Sequence, residues 1–375
     1  MSLTLEQVSK VVSGNTHIYP TDLSLEAGRL NVLLGPTLAG KTTLMRLMAG
    51  LEKPTTGRIL WEGEDVTGMP VQKRNVAMVY QQFINYPSLS VYDNIASPLK
   101  LRGLDKKSID ERVQEAATLM KLTPMLQRKP LELSGGQQQR CALARALVKE
   151  ADLVLLDEPL ANLDYKLREE LREEIPRIFT ESGAVFVYAT TEPTEALLLG
   201  GHTAAMWEGS ITQFGPTLEV YRHPNSQLTA RVFSDPPMNL FTAHKKGAQL
   251  QLGTHNTLEP SGVLAELPDG DYTAGFRPHH LKLNNSNGQA LRFDTTVNVV
   301  EMSGSESFVH VFFQDEHKDE QRWVALIEGI RAYASGDSLP VYIDLEQIYF
   351  FDQTGQLAAE PQTTPASETA EVEHG

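Results

Sequence analysis

One short stretch constrains the fold of this chain more than any other. Gly35–Thr42 reads GPTLAGKT, the spacing of a phosphate-binding loop. Such a loop works only between a buried strand and a helix. Its backbone N–H groups must point inward as an anion nest, and the helix must add its positive N-terminal end. The flanks comply: Leu30–Leu34 (LNVLL) is a short apolar run, and Lys41–Met48 looks helical. Lys41 offers a point charge to outer phosphates and Thr42 a hydroxyl to Mg²⁺. Gly35, Pro36, Thr37, Leu38, Ala39, Gly40, Lys41, Thr42 and Thr43 are the candidate nucleotide-binding residues. The competing reading is an ordinary Gly-rich turn before a helix. Background residue frequencies put a chance match in a chain of this length at about 0.01–0.02.

Two further apolar runs, Leu153–Leu156 (LVLL) and Ala184–Ala189 (AVFVYA), read as buried strands of a parallel sheet, which makes the first half an α/β domain. Leu153–Pro159 reads LVLLDEP, a strand ending in two acids. Asp157 at the strand end would hold Mg²⁺, and Glu158 would polarise an attacking water. Alone, the two acids would read as a solvated strand terminus; beside the loop they do not. Leu133–Arg140 reads LSGGQQQR. Ser134, Gly135, Gly136 and Gln137 form a second small-residue turn opening a helix, either an ordinary N-cap or a second anion site.

The loop, LSGGQ and LLDEP, in this order, resemble the ATPase subunits of ABC transporters over about residues 3–235. The resemblance implies the α/β P-loop NTPase fold, a mostly parallel sheet with a helical subdomain, and ATP with Mg²⁺ as ligands. It also implies a dimer in which ATP lies between the loop of one chain and the LSGGQ of the other. Gln81, in MVYQQF, matches the family's glutamine that touches Mg²⁺ and senses the γ-phosphate. Leu160–Asp164 (LANLD) matches the loop that crosses the dimer interface. Phe83–Tyr92 resembles the segment that grips a transmembrane subunit, with Phe83, Ile84, Tyr86 and Leu89 either lining that contact or buried in the helical subdomain.

Two positions depart from the family pattern. Val12 stands where an aromatic usually stacks on adenine; His17 or Tyr19 lie near enough in sequence to substitute. After Ala184–Ala189 the run is Thr190-Thr191-Glu192-Pro193-Thr194-Glu195-Ala196, so Thr191 occupies the switch-histidine position. A threonine hydroxyl is shorter than imidazole and carries no positive charge. Glu192 or a water is an alternative substitute. Both departures fall on the site built by this chain's own loop, while Ser134 through Gln137 are intact. The expectation is an asymmetric heterodimer, with slow turnover here and an active site completed on a second ATPase subunit. Pro176 predicts a kink or early break in the helical run Tyr165–Phe179.

From about Phe233 the pattern becomes alternating, with Thr295–Val300, Ser307–Phe313 and Leu339–Ile343 between turn residues, which is all-β chemistry. This half resembles the OB-like accessory domain of carbohydrate-uptake ABC ATPases, the maltose and glycerol-phosphate importer group, through PPMN (236–239), GFRPHHL (275–281), VVEMSGS (299–305) and GDSLPVYI (336–343). His279 and His280 are read as surface or turn residues. The expected domains are 1–235, 236–355 and a disordered acidic tail, 356–375. The variants GPTLAGKT and YATTEPTEA resemble an ATPase subunit of a glycerol importer.

Charge limits the partners. The formal net charge is −15, and residues 1–235 have 25 Lys and Arg against 28 Asp and Glu, while residues 236–375 have 8 against 20. That opposes nucleic acid and an anionic membrane surface as direct partners. A single cysteine, Cys141, excludes an intramolecular disulfide framework, and no apolar run approaches the length of a spanning helix. The expectation is a peripheral protein on the cytoplasmic face of the inner membrane. It would work with a second ATPase subunit, two permease subunits and, indirectly, a periplasmic solute-binding protein. The competing classes are a soluble regulatory module and a non-transport ABC ATPase.

Overall fold

Leu30–Leu34, Leu153–Asp157 and Val185–Thr190 are strands in which every residue is buried. The computed structural model describes residues 1–361 apart from 162, 255, 286–289 and 315–319. Those three strands pair in parallel, with Leu34 opposite Thr190 and Asp157 opposite Ala189. Val76–Val79 and His202–Trp207 extend the parallel sheet on either side, and Ser210–Pro216 closes one edge antiparallel. A strand buried on both faces has no solvated side, which explains the largely apolar runs, interrupted within them only by Asn31, whose side chain donates to the Phe186 carbonyl. The register brings the phosphate loop, Asp157 and the segment after Thr190 to one edge of the sheet, the carboxyl ends of its strands. Ligands of open α/β sheets gather at that edge.

A second sheet is antiparallel, from Ser2–Val12, Asn15–Glu26, Thr56–Trp61 and Glu64–Asp65. The helix Lys41–Met48 is packed between the two sheets. Its Leu44, Met45 and Met48 meet Leu3, Leu5, Leu25 and Ile59 from one sheet, and Leu33, Leu155 and Val187 from the other. Burial on both sides gives the loop a fixed base. The helices Val91–Leu101, Lys106–Leu119 and Gly135–Val148 pack on one another as the helical subdomain. The expected break at Pro176 does not occur: one helix runs Tyr165–Ser182. It ends instead at Gly183, whose left-handed φ of 64° is a common helix stop.

The described residues fall into two compact units, one from Met1 to Val220 and one beginning at Tyr221. The second is β-rich, with two antiparallel sheets of six and four strands. The alternating runs lie in the strands Leu291–Met302, Glu306–Gln314 and Ser338–Ile343. Its core is aromatic. Trp323 is completely buried, with Phe241, Phe276 and Phe293 at 5.6, 5.0 and 5.1 Å and Phe313 stacked at 4.6 Å. The indole N–H donates to the Leu240 carbonyl at 2.9 Å, so no buried donor is orphaned. Strand pairing continues beyond residue 356: Leu357–Ala359 pairs with Tyr349–Phe351, and the Leu357 amide donates to the Asn225 carbonyl. The rest of the expected tail, from 362, lies outside the described residues.

Candidate nucleotide site

The loop between Leu34 and Lys41 has the backbone its sequence demands. Leu38 (φ 70°) and Gly40 (φ 99°) are left-handed, the alternation that turns successive amides toward one centre. A side chain at Gly35 would collide with the Met206 carbonyl, so the strand next door requires glycine there. Gly40 precedes the helix without a side-chain cap, leaving first-turn N–H groups free for an anion.

Lys41 is 6% exposed. Its ammonium donates to the carbonyls of Gly35 (2.7 Å) and Pro36 (3.1 Å) and lies 3.7 Å from Glu158 Oε1. Burial lowers its pKa, opposed by the charges of Glu158 and Asp157. The Thr42 hydroxyl donates to Asp157 Oδ2 at 2.7 Å. Burial raises the Asp157 pKa, opposed by that hydrogen bond and by Lys41. Gln81 Nε2 donates to Glu158 Oε2 at 2.8 Å. Residues distant in sequence thus meet in one pocket of about 540 Å³.

That pocket is lined by Thr37 through Thr43, Gln81 and Glu158, while the candidates Gly35, Pro36 and Asp157 do not line it. Asn15, Thr16, His17, Glu208 and Gly209 line it too. Of the two proposed substitutes for an aromatic, His17 is at the pocket; Val12 and Tyr19 do not line it. The sequence carried a faint signal for the second group. The Glu208-Gly209 turn joins two strands, and Gly209 donates its N–H to the Ala39 carbonyl at 3.0 Å. A side chain at Gly209 would strike the His17 carbonyl at 2.5 Å.

Ser134 through Gln137 do not line this pocket. Ser134 caps the helix Gly135–Val148: its Oγ accepts from the Gln137 amide, and Gln137 Oε1 accepts from the Ser134 amide at 3.0 Å. Ser134 and Gly135 are exposed. Thr191 follows the strand Val185–Thr190, and the chain around it is pinned by neighbours. The hydroxyls of Tyr188 and Thr190 donate to the buried Glu195 carboxylate, and the Thr190 oxygen accepts from the Glu192 amide at 3.0 Å. The Glu192 carboxylate lies 3.5 Å from Arg168, away from the role of imidazole substitute. In the Phe83–Tyr92 segment Ile84 and Tyr86 are exposed, whereas Phe83 and Leu89 are half-buried. Asn94 holds this segment through both polar groups of the Tyr86 backbone.

His279 and His280 form a turn after Arg277, with rings 4.3 Å apart. Burial pushes the His280 pKa down to about 3. Among the described residues no group of His, Cys, Asp and Glu is arranged to hold a metal unaided. An octahedral Mg²⁺ bound mainly by phosphate and water needs no such cage. Thr42 and Gln81 line the pocket and Asp157 lies within hydrogen-bond distance of Thr42, a set of hard oxygen donors that suits that ion.

Residues 18–161 match the family described as ABC transporter. The sn-glycerol-3-phosphate import ATP-binding protein UgpC of Vibrio vulnificus (strain CMCP6) is 36% identical over 352 residues, covering 94% of this chain and 93% of that protein. The uncharacterized ABC transporter ATP-binding protein YurJ of Bacillus subtilis (strain 168) is 36% identical over 362 residues, covering 94% and 97%. Among solved structures, the dimeric ATP-binding cassette MJ0796 bound to ADP and Pi aligns with a TM-score of 0.54 at 25% identity, over 57% of this chain and 98% of that one. With its phosphate loop, paired acids and signature turn in place, the chain belongs to the ATP-binding subunits of ABC transporters, a family of transport-coupled ATPases.

Proposed function

We propose that this chain is the ATP-hydrolysing subunit of a bacterial importer for a polyol-class solute, with sn-glycerol-3-phosphate as the leading candidate. The glycerol expected from the sequence alone gives way to the phosphate ester because of the names of the relatives. The observation that carries the catalytic part is the meeting of Lys41, Thr42, Gln81 and Glu158 in one pocket, with the buried Asp157 bonded to Thr42 behind it.

The chemistry follows from those contacts. ATP phosphates enter the amide nest, and Lys41 moves its hydrogen bonds from loop carbonyls to phosphate oxygens. Thr42, Asp157 and Gln81 would hold Mg²⁺, which neutralises charge developing on the β- and γ-phosphates. Glu158 orients and polarises the attacking water, with Gln81 fixing its carboxylate. Ser134 and its helix N-terminus face outward, so they serve ATP held by a second ATPase subunit.

Two permease subunits complete the importer, the exposed Ile84 and Tyr86 meeting one of them. A solute-binding protein would act only through those permeases. Among the described residues no helix is long and apolar enough to cross a membrane, in keeping with a peripheral position on the cytoplasmic face. The second ATPase subunit is a different chain in this reading, and the supporting feature is Thr191, where this site lacks a cationic side chain.

The test is uptake of radiolabelled sn-glycerol-3-phosphate and glycerol by vesicles containing the reconstituted transporter. ATP-dependent uptake of the phosphate ester, lost in Lys41→Ala, is expected; uptake of neither solute would refute the substrate. Glu158→Gln in this chain should cost less turnover than the equivalent change in the partner. Equal losses would refute the asymmetry.

A further inference from the structure

One buried amide is left over by this account. Gln139 lies in the helix Gly135–Val148, two residues past the last signature residue Gln137, and is 1% exposed. It touches neither the pocket nor the exposed turn at Ser134. Its Nε2 donates to the Pro159 carbonyl at 2.6 Å and to the Glu158 carbonyl at 3.4 Å. Its Oε1 is buried with no hydrogen-bond partner. An orphaned acceptor is costly, and an apolar side chain of the same shape would remove that cost. The amide is therefore retained for what its donor does.

What it holds is a strained backbone. Glu158 has φ 47°, left-handed for a residue with a side chain, and such a conformation persists only where its surroundings impose it. Three contacts do so. The Glu158 amide donates to the Ala189 carbonyl at 3.0 Å, and the Glu158 carbonyl accepts from the Ala161 amide at 3.4 Å. Gln139 supplies the third, the only one of these from the helical subdomain. The direction of the Glu158 side chain follows from its φ, so a contact on its carbonyl sets where its carboxylate points.

We propose that Gln139 is a positioning residue for hydrolysis: a latch through which the helix carrying the signature turn sets the backbone of Glu158. Seating of Ser134 against a partner's nucleotide would draw on the same helix. Occupancy of the neighbouring site is thereby read at the hydrolytic carboxylate of this one. The inference rests on the reading of Glu158 as the group that polarises water.

The test is ATP turnover by the full-length chain assembled with its transporter subunits, for Gln139→Met, Glu158→Gln and the double variant. Methionine keeps length and volume and removes the donor. A change in angle at a reacting group costs about ten- to a hundredfold. Gln139→Met should lower kcat by that factor, with nucleotide affinity and melting temperature unchanged. It should cost nothing further in the Glu158→Gln background, because it acts through that residue. Amide exchange at Ala161 and Leu163 should quicken while that of the signature helix does not.

Multiplicative losses in the double variant would overturn the latch. So would a drop in kcat accompanied by weaker nucleotide binding and a lower melting temperature, the pattern of a merely structural residue. If Glu158→Gln alone leaves turnover intact, the reading of Glu158 fails and the latch with it. If Glu158→Gln abolishes turnover while Gln139→Met runs at the wild-type rate, only the latch fails.

Discussion

Thr191→His should speed hydrolysis at this chain's own site. The backbone around residue 191 is held by contacts that the substitution leaves alone: Thr190 to Glu195, the Glu192 amide to Thr190, and Glu192 to Arg168. An imidazole introduced there starts just past a fixed strand end at the carboxyl edge of the sheet, two residues beyond Ala189, which pairs with Asp157. A single donor aimed at charge developing in a transition state is worth about 10²–10³ in rate, or roughly 2.7–4 kcal/mol. An unoptimised replacement should recover part of that, about tenfold in kcat with little change in KM. Thr191→Ala should run near the wild-type rate, since the hydroxyl is too short to do this work. Glu192→Gln should also be near neutral, because its carboxylate is committed to a half-exposed ion pair worth under about 1 kcal/mol. The assay is steady-state phosphate release by the assembled transporter whose partner subunit carries the change equivalent to Glu158→Gln, so that only this site turns over. A properly folded Thr191→His protein with an unchanged or lower kcat would refute the reasoning. So would a large loss in Glu192→Gln.

Four other outcomes are expected. His17→Ala should weaken ATP binding about three- to tenfold with kcat preserved, measured by titration with a fluorescent nucleotide, because a ring at the pocket contributes roughly a kilocalorie of stacking. Trp323→Ala should destabilise the second unit by about 3–5 kcal/mol in denaturant melts, from the cavity left among four phenylalanines. Cys141, completely buried and with its pKa pushed up to about 11, should resist alkylation in the native protein between pH 7 and 9 and react at once in denaturant. Its thiolate is disfavoured until the pH passes the raised value, so native labelling at pH 7 would contradict the burial. Truncation after residue 361 should leave the melting temperature of the second unit unchanged. Truncation before Gln356 should lower it, because the strand Leu357–Ala359 and the contact of Glu360 with His223 are lost.

The site was legible wherever its chemistry is local. An amide nest is made by consecutive backbone groups, so the residues that form it are contiguous in the sequence, and GPTLAGKT announces itself. A strand buried on both faces must be apolar except where a polar side chain is bonded, as Asn31 is to the Phe186 carbonyl, so LNVLL and LVLLDEP mark their own place, down to the acids at the strand end. Ser134 caps a helix that starts beside it. The β-rich second half was legible for the same reason, since alternation is a property of neighbours.

The remainder depended on which strands lie side by side. Gln81 could be matched by position, but its bond to Glu158 exists because Val76–Val79 pairs with Leu153–Asp157. Glu192 looked free to replace an imidazole until the fold brought Arg168 beside it. Pro176 looked like a helix break, yet the helix runs through to Gly183. Nothing in LSGGQQQR says which of its glutamines turns inward; the packing of that helix beside Pro159 chose Gln139. His17 sits at the phosphate loop because a turn at Gly209 has no side chain to keep it away. The sequence by itself determined that a nucleotide's phosphates would be held, since that requires only adjacent residues. The tertiary structure decided which distant side chains meet Glu158, because a hydrogen bond between residues far apart in the chain has no local signature.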